Sequence, residues 1–223
     1  MLTVWTICWG DKYPNYYVER LRSEVARYLH IPHRFVCITD RDIPGIETMP
    51  FPDDFPGWWA KVSLFRWDTM EDKNLWLDLD VVLTGDITEM VQRYSKSSLA
   101  MPMNWAASGH GGCQSSVMIW KKNYNVRQIY DLYDHSDPRL GNWPPTTLNG
   151  AVWGDQEWIT ELRDRERVMV TPIADGIKSY KYHCRNGLPE GTKIVVFHGD
   201  PKPPDAVSYT HLTLPTRSSQ CRS

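Results

Sequence analysis

The chain has 223 residues, of which 41% are hydrophobic and 23% are charged, and its formal net charge is -2. This composition is that of an ordinary globular protein, and the length suits one α/β domain, so disorder and fibrous repeats are excluded. Because 25 basic residues balance 27 acidic ones without a basic run, no nucleic acid is expected as the main partner.

The cysteines and the apolar segments bear on the compartment. The five cysteines are widely spaced and form no CxxC pair, which argues against a disulfide framework and a thiolate zinc site. A cytoplasmic location fits this pattern best. Residues 2–9 are too short an apolar run to span a bilayer and lack a basic leader, so they predict a first strand rather than a signal. No later segment predicts a transmembrane helix.

Strand-like and helix-like segments alternate along the chain. The pattern predicts strands at residues 3–8, 34–39, 74–77, 99–103, 115–120, 167–170 and 193–197. It predicts helices at residues 15–29 and 58–67, and Asp86 with Glu89 predicts a capping box for a helix that ends at Tyr94. We therefore expect one α/β domain over residues 1–206, with a mixed, mostly parallel sheet flanked by helices and ligands bound beyond the carboxyl ends of its strands.

Two segments depart from this rhythm. Residues 133–154 are rich in Pro, Gly, Asn and Trp without clear periodicity, which predicts a long surface loop that could bind an acceptor or act as a lid. Residues 207–223 are rich in Ser and Thr, and residues 207–216 resemble translated adaptor sequence. We expect a disordered, non-native tail there and a missing natural C-terminus, and we assign the tail no function.

Asp78 and Asp80 stand two residues apart in an apolar segment. In an extended chain such side chains point to the same face, so the two carboxylates could share one cation. Mg²⁺ and Mn²⁺ prefer oxygen ligands and commonly bridge carboxylates to phosphates. About one such pair is expected by chance in a chain this long, but two uncompensated carboxylates in an apolar strand would be costly. The pair therefore predicts a divalent-cation site for a diphosphate.

A second polar group follows the apolar run at residues 194–197. His198 could complete the metal shell, Gly199 would let backbone amides approach a phosphate, and Lys202 would supply positive charge to the same anion. Each residue also has an ordinary alternative, because a lone histidine at a strand end is often structural and a lysine between prolines is often a solvated turn residue.

The order of these motifs resembles the GT-A-fold glycosyltransferases related to family eight, which include glycogenin-like and lipooligosaccharide galactosyltransferases. The family's metal-binding LxLDxDVL is matched by residues 75–83, where the sequence is LWLDLDVVL. The resemblance implies a GT-A domain in which Asp78 and Asp80 bind Mn²⁺ or Mg²⁺. It also implies a nucleotide-sugar donor, expected to be a UDP-sugar. Lys61 stands where the family has a basic residue that contacts the donor, and the alternative is an ordinary surface lysine.

The other motifs extend the resemblance to the sugar side. Gln114-Ser115-Ser116-Val117-Met118 resembles the family's Asn-Ala/Ser-Gly-Val-Met strand, and Asp155-Gln156-Glu157 resembles its Asp-Gln-Asp/Glu helix start. By this resemblance Gln114, Asp155 and Gln156 line the sugar pocket, with Gln156 near the reacting carbon. A helix N-cap is the alternative role for Asp155.

The closing motif and the first loop match less closely. The family's H-x-x-G-x-x-K-P-W is represented by Gly199-x-x-Lys202-Pro203, but His198 directly precedes the glycine and Pro204 replaces the tryptophan. Residues 9–13 resemble the family's nucleotide-binding loop, which implies that Asp11 contacts the nucleotide and that Tyr13 stacks on the base. Asp40 could accept a hydrogen bond from the base or simply form a turn.

Together the motifs predict a metal-dependent transferase that moves a sugar, with retention of configuration, to a hydroxyl of a carbohydrate, lipid or protein acceptor. Two alternatives remain open. The 11 tryptophans also suit a carbohydrate-binding or inactive transferase-like protein. An aspartyl-phosphate phosphatase also carries a DxD motif, but on the first strand of its domain.

Overall fold

The computed structural model describes residues 1–105, 112–134, 136, 152 and 154–205. Most of the predicted loop at residues 133–154 and the whole predicted tail at residues 207–223 lie outside these ranges. Within these ranges, no helix combines the length and the apolar character needed to cross a membrane.

In the part of the chain that the structure describes, ten strands form two sheets. The strands are β1 (Leu2–Cys8), β2 (His33–Thr39), β3 (Glu47–Met49), β4 (Lys73–Leu77), β5 (Val81–Leu83), β6 (Leu99–Met101), β7 (Val117–Lys121), β8 (Val170–Pro172), β9 (Ile177–Ser179) and β10 (Ile194–Val196). The large sheet has the order β3-β2-β1-β4-β7-β6-β8, and the small sheet has the order β5-β10-β9. Four of the large sheet's strand pairs are parallel, and β7 runs antiparallel to β4 and β6. The predicted mixed, mostly parallel α/β fold is therefore confirmed.

The described residues also form four α-helices and three tighter helical segments. The α-helices are α1 (Tyr16–Tyr28), α2 (Thr88–Tyr94), α3 (Tyr124–Asp131) and α4 (Asp155–Asp164). Gly57–Phe65 and Pro203–Asp205 form 3₁₀ helices, and Tyr180–Cys184 forms a π-helical turn.

The sheet topology brings distant segments to one edge, which we call the carboxyl edge. Strands β1, β2, β3 and β4 run parallel, so the residues that follow them meet at this edge. Because β7 is antiparallel, its start lies there too, and the amide of Asp78 donates to the carbonyl of Ser116 at 3.0 Å. The small sheet adds the end of β10, since the amide of Phe197 donates to the carbonyl of Asp80 at 3.1 Å.

Apolar side chains cover both faces of the large sheet. Alternate residues of a strand point to opposite faces, and in β4 Leu75 and Leu77 pack with α1 and α2 while Trp76 packs with α3 and α4. Both layers are closed by residues that are almost completely buried. The sheet is thus well packed on both faces, and it fixes the positions of the polar residues at the carboxyl edge.

Several local predictions were wrong in detail. The helix predicted at residues 58–67 is a 3₁₀ helix, and the strand predicted at residues 167–170 overlaps β8 only at Val170. No capping box forms at α2, because Asp86 accepts a bond from the amide of Thr88 at 2.7 Å while Glu89 pairs with Arg93.

Among the described residues, the sequence pattern also missed three strands and one α-helix, namely β3, β5, β9 and α3. Three of them are strands of three residues, too short for a periodic signal. Helix α3 did carry one, since Asn123 caps it by accepting from the amides of Asn125 and Val126, and Val126 and Ile129 are buried three residues apart.

Candidate active site

A cleft at the carboxyl edge gathers most of the residues that the motifs singled out. It consists of two adjoining pockets that share Lys12, Trp58, Lys61, Asp78 and Asp80. The predicted residues on its walls are Tyr13, Lys61, Asp78, Asp80, Gln114, Asp155, Gln156, His198, Gly199 and Lys202. Asp11 and Asp40 line neither pocket.

The backbone at Asp78 and Asp80 is a turn, so the predicted extended geometry is wrong. Strand β4 ends at Leu77, and the amide of Val81 donates to the carbonyl of Asp78 at 3.3 Å before β5 begins. Val81 to Leu83 pair with β10 in the small sheet rather than continuing the large one. Both carboxylates nevertheless face the same cleft, because the turn lies between the two sheets at its floor.

Asp78 belongs to a buried network of charges. Its Oδ1 accepts from the indole Nε1 of Trp76 at 2.9 Å and lies 3.0 Å from Nζ of Lys61. The same ammonium lies 3.1 Å from Oδ2 of Asp155 and 3.4 Å from the hydroxyl of Ser115. Lys61 thus joins the end of β4 to the start of α4.

The protonation of Lys61 is fixed by its neighbours. Burial alone would lower its pKa, but the negative charges of Asp155 and Asp78 outweigh burial, so the pKa of Lys61 is raised above its ordinary value. The ring of Trp76 lies 5.3 Å from the ammonium and adds a cation–π contact. These neighbours therefore favour the charged form of Lys61, and its ammonium is engaged by groups of the protein.

Asp80 is held by residues from two other segments. Its Oδ2 accepts from the hydroxyl of Tyr13 at 3.0 Å and lies 2.6 Å from Nζ of Lys202. Burial, followed by the charge of Asp80, raises the pKa of Tyr13, so this hydroxyl stays a donor. The ammonium of Lys202 also lies 5.6 Å from the centre of the Tyr13 ring.

These contacts leave carboxylate oxygens that can serve as ligands of a metal ion. Among the described residues, the side-chain contacts of Asp78 use Oδ1 and those of Asp80 use Oδ2, so each carboxylate has a second oxygen. Oxygen donors of this kind suit Mn²⁺ or Mg²⁺. The two carboxylates therefore fit the predicted cation.

His198 lies in the same cleft but is engaged elsewhere. Its Nε2 is 2.7 Å from the hydroxyl of Ser179, and its ring stacks between those of Trp105 and Tyr182. Burial, together with the charge of Lys181, lowers the pKa of His198 and favours the neutral ring. No group of three or more His, Cys, Asp or Glu residues is close enough to hold a metal in the described ranges. The metal role of His198 stays a prediction.

The residues expected on the sugar side line the same cleft as the carboxylate pair. Asp155 is the first residue of α4, and Gly154 takes the capping position without a side-chain bond, so the N-cap alternative for Asp155 is wrong. Gln114 is tied locally, accepting from the amide of Ser116 at 2.7 Å and donating to its hydroxyl at 3.0 Å. Gln156 is half-buried and lines the cleft beside Asp155.

Gly199 has the kind of backbone conformation that its predicted role requires. Its φ is +71°, a left-handed conformation that favours glycine, and a Cβ there would lie 2.8 Å from Nζ of Lys181. A side chain at this position would therefore be strained and would crowd the cleft wall.

Asp40 and Asp11 do not line either pocket of the cleft. Oδ2 of Asp40 accepts from the amide of Gly10 at 3.1 Å, and this contact shapes the loop at residues 9–13. Asp11 is exposed in that loop. Nucleotide contacts by either residue stay predictions.

Two site residues had no role assigned from sequence. Trp76 is buried and donates to Asp78, and Arg41 braces the loop at residues 9–13 from the end of β2. Trp76 stands inside the matched motif, where its apolar neighbours favoured a purely core role. Arg41 carried no signal, because its partners are two backbone carbonyls and the Sγ of Cys8.

Comparison with known proteins supports the fold. No protein-family model matches the chain, and no curated protein matches it in sequence. The structure is similar to that of galactosyltransferase LgtC in complex with donor and acceptor sugar analogs, with a TM-score of 0.60, 15% identity, and 95% of this chain and 94% of that chain covered. An active-site mutant of LgtC gives a TM-score of 0.58 at 13% identity, with 94% of each chain covered.

A second protein gives the same result over part of its length. The glycosyltransferase GlyE of Streptococcus pneumoniae TIGR4 has a TM-score of 0.57 at 17% identity, with 90% of this chain and 55% of that chain covered. Identities this low establish the fold alone. The chain therefore has the GT-A fold of the glycosyltransferases related to family eight, which confirms the resemblance predicted from its motifs.

Proposed function

We propose that this chain transfers a sugar from a nucleoside diphosphate donor, a UDP-sugar, to an acceptor hydroxyl with the help of Mn²⁺ or Mg²⁺. The observation that carries the proposal is the meeting of Asp78, Asp80 and Lys202 in one cleft at the carboxyl edge. Ligands of open α/β sheets bind at this edge. The likeness to LgtC, which was solved with donor and acceptor sugar analogs, adds support.

Asp78 and Asp80 would hold the divalent cation through the carboxylate oxygens that their present partners leave over. Bound there, the cation would offset the charge of a departing diphosphate. Trp76 and Tyr13 orient the two carboxylates by hydrogen bonds at 2.9 and 3.0 Å. Such supporting bonds fix a carboxylate for binding and add to metal affinity.

Lys202 is the residue that we assign to the leaving group. Its ammonium lies 2.6 Å from Oδ2 of Asp80. Because the lysine side chain is flexible, the ammonium can turn toward a phosphate oxygen. Positive charge fixed where negative charge develops lowers the barrier to transfer. Lys61 has the same charge but is pinned between Asp78 and Asp155, so we assign it to positioning instead of donor contact.

The sugar would lie toward Gln114, Asp155 and Gln156, which line the same cleft as the carboxylate pair. Asp155 is ion-paired with Lys61, which makes it a poor covalent nucleophile. We therefore propose that the acceptor hydroxyl attacks the anomeric carbon from the face of the leaving group, with retention of configuration. The acceptor oxygen forms the new bond to the anomeric carbon, its proton passes to the departing diphosphate oxygen, and the nucleoside diphosphate leaves with the electron pair of the broken glycosidic bond.

The test is donor turnover by the purified protein. UDP release from a panel of UDP-hexoses should require MnCl₂, stop with EDTA and be lost in Asp80→Asn. EDTA removes the metal, and the substitution removes one of its ligands. Full turnover in EDTA would refute the proposal. Sugar binding without UDP release would favour the carbohydrate-binding alternative, and hydrolysis of p-nitrophenyl phosphate would favour the phosphatase.

A further inference from the structure

The loop at residues 9–13, which we call the nucleotide loop, has no regular secondary structure yet supplies three residues to the cleft. Trp9, Lys12 and Tyr13 all line the pocket beside the carboxylate pair. If such a loop becomes ordered only when the ligand binds, the entropy lost in ordering it lowers the affinity for the ligand. Its shape has to be fixed from outside the loop.

Arg41, two residues after the end of β2, contacts the loop at both of its ends. Its Nη1 donates to the carbonyl of Gly10 at 2.8 Å, and its Nη2 donates to the carbonyl of Tyr13 at 2.9 Å. The same Nη2 lies 3.0 Å from Sγ of Cys8, the last residue of β1. One rigid guanidinium thus ties the strand end, the start of the loop and its last residue together.

The neighbouring Asp40 completes this anchor. It accepts from the amide of Gly10, so the two successive residues of the β2 end take both the amide and the carbonyl of one glycine. Gly10 has φ of +55°, a conformation that other residues rarely adopt. The turn at Gly10 is therefore held by its neighbours as well as by its own flexibility.

The anchor reaches the proposed metal site through Tyr13. Its carbonyl is held by Arg41 and its hydroxyl donates to Asp80, so the position of Arg41 sets the position of the donor that orients Asp80. Aliphatic replacements would remove every contact. A lysine would keep the charge but lose the fork of donors that reaches several acceptors at once.

We infer that Arg41 is a positioning residue that pre-organises the nucleotide loop for the nucleoside diphosphate. This inference rests on the proposed function for its ligand, although the order of the loop itself can be measured without one.

The first experiment measures loop order by hydrogen–deuterium exchange in the ligand-free protein. In Arg41→Met and Arg41→Lys, exchange should rise in peptides covering residues 9–13 and stay unchanged in peptides of α3 and α4. Arg22→Met is the matched control, because its side chain is exposed on α1. Unchanged exchange in the loop, or a rise of equal size throughout the chain, would overturn the inference.

The second experiment measures UDP binding by calorimetry in the presence of MnCl₂. Loss of a pre-organised loop should weaken UDP about 10-fold in Arg41→Met, the equivalent of about 1.4 kcal/mol. Arg41→Lys should weaken it less, and Arg22→Met should bind as the wild type does. UDP affinity unchanged in both Arg41 variants would contradict the inference.

The two experiments separate this inference from the proposed function. If the wild type does not bind UDP with MnCl₂, the proposed function fails, while the exchange result still decides whether Arg41 orders the loop. If Arg41→Met does not fold, Arg41→Lys decides both questions.

Discussion

Asp78 and Asp80 are two residues apart, yet they are held in opposite ways. Asp78 shares a buried lysine with a second carboxylate, Asp155, and receives a hydrogen bond from the core residue Trp76. Asp80 has a lysine of its own, and both of its partners, Tyr13 and Lys202, come from irregular segments that line the cleft. The comparison teaches that Asp78 is held by residues of regular secondary structure, whereas Asp80 is held by residues of irregular segments.

The largest effect on stability should come from Lys61→Met. This change leaves the carboxylates of Asp78 and Asp155 without their shared counter-ion, and breaking a buried pair in this way costs about 3–5 kcal/mol. Urea denaturation would measure the loss, with Lys96→Met as an exposed control. Adding Asp155→Asn should restore part of it, and a loss under about 1 kcal/mol would show that the network is not buried as described.

Trp76→Phe tests the core side of the motif more gently. It removes the indole donor of Asp78, and a hydrogen bond to a charged group contributes about 1.5–3 kcal/mol. Trp120→Phe is a close control, because Trp120 is equally buried and its Nε1 has no hydrogen-bond partner among the described residues. We expect Trp76→Phe to lower the free energy of unfolding more than Trp120→Phe does, by about this amount. Of the two variants, only Trp76→Phe should weaken Mn²⁺ binding. Equal effects would remove Trp76 from the site.

Lys202→Met should have the smallest effect on stability and a large one on function. Lys202→Met leaves one carboxylate without its counter-ion instead of two, and Asp80 keeps its bond from Tyr13, so we expect the smallest loss of the three variants in urea. UDP release should fall about 100-fold, the usual effect of removing one group that stabilises developing charge. A stability loss as large as that of Lys61→Met would erase the distinction between the two halves.

The fold was predictable where the sequence has long periodic segments. Strands β1, β2 and β4 and helix α1 follow from alternating or helical spacing, and the site follows from the rule that ligands bind at the carboxyl edge. The turn at Asp78 was not predictable, because Val81 to Leu83 read as a continuation of β4. Only their pairing with β10, more than 100 residues later, separates them.

The charge pairs of the site could not be predicted for a related reason. Lys61 meets Asp155 and Lys202 meets Asp80 across 94 and 122 residues, and no local pattern specifies such contacts. The motifs identified most of the residues in the cleft but not which of them bind each other. The assignment of Lys61 to positioning and of Lys202 to the leaving group comes from those contacts alone.

The most direct test of the metal-dependent account is a thermal-shift measurement with UDP. A ligand present at about 100 times its Kd stabilises the folded state by about 2.7 kcal/mol. We predict that UDP with MnCl₂ raises the Tm of the wild type, that UDP with EDTA does not, and that Asp80→Asn shows no shift in either. An equal rise in Tm with UDP in EDTA would contradict the claim that Asp78 and Asp80 bind the diphosphate through a cation.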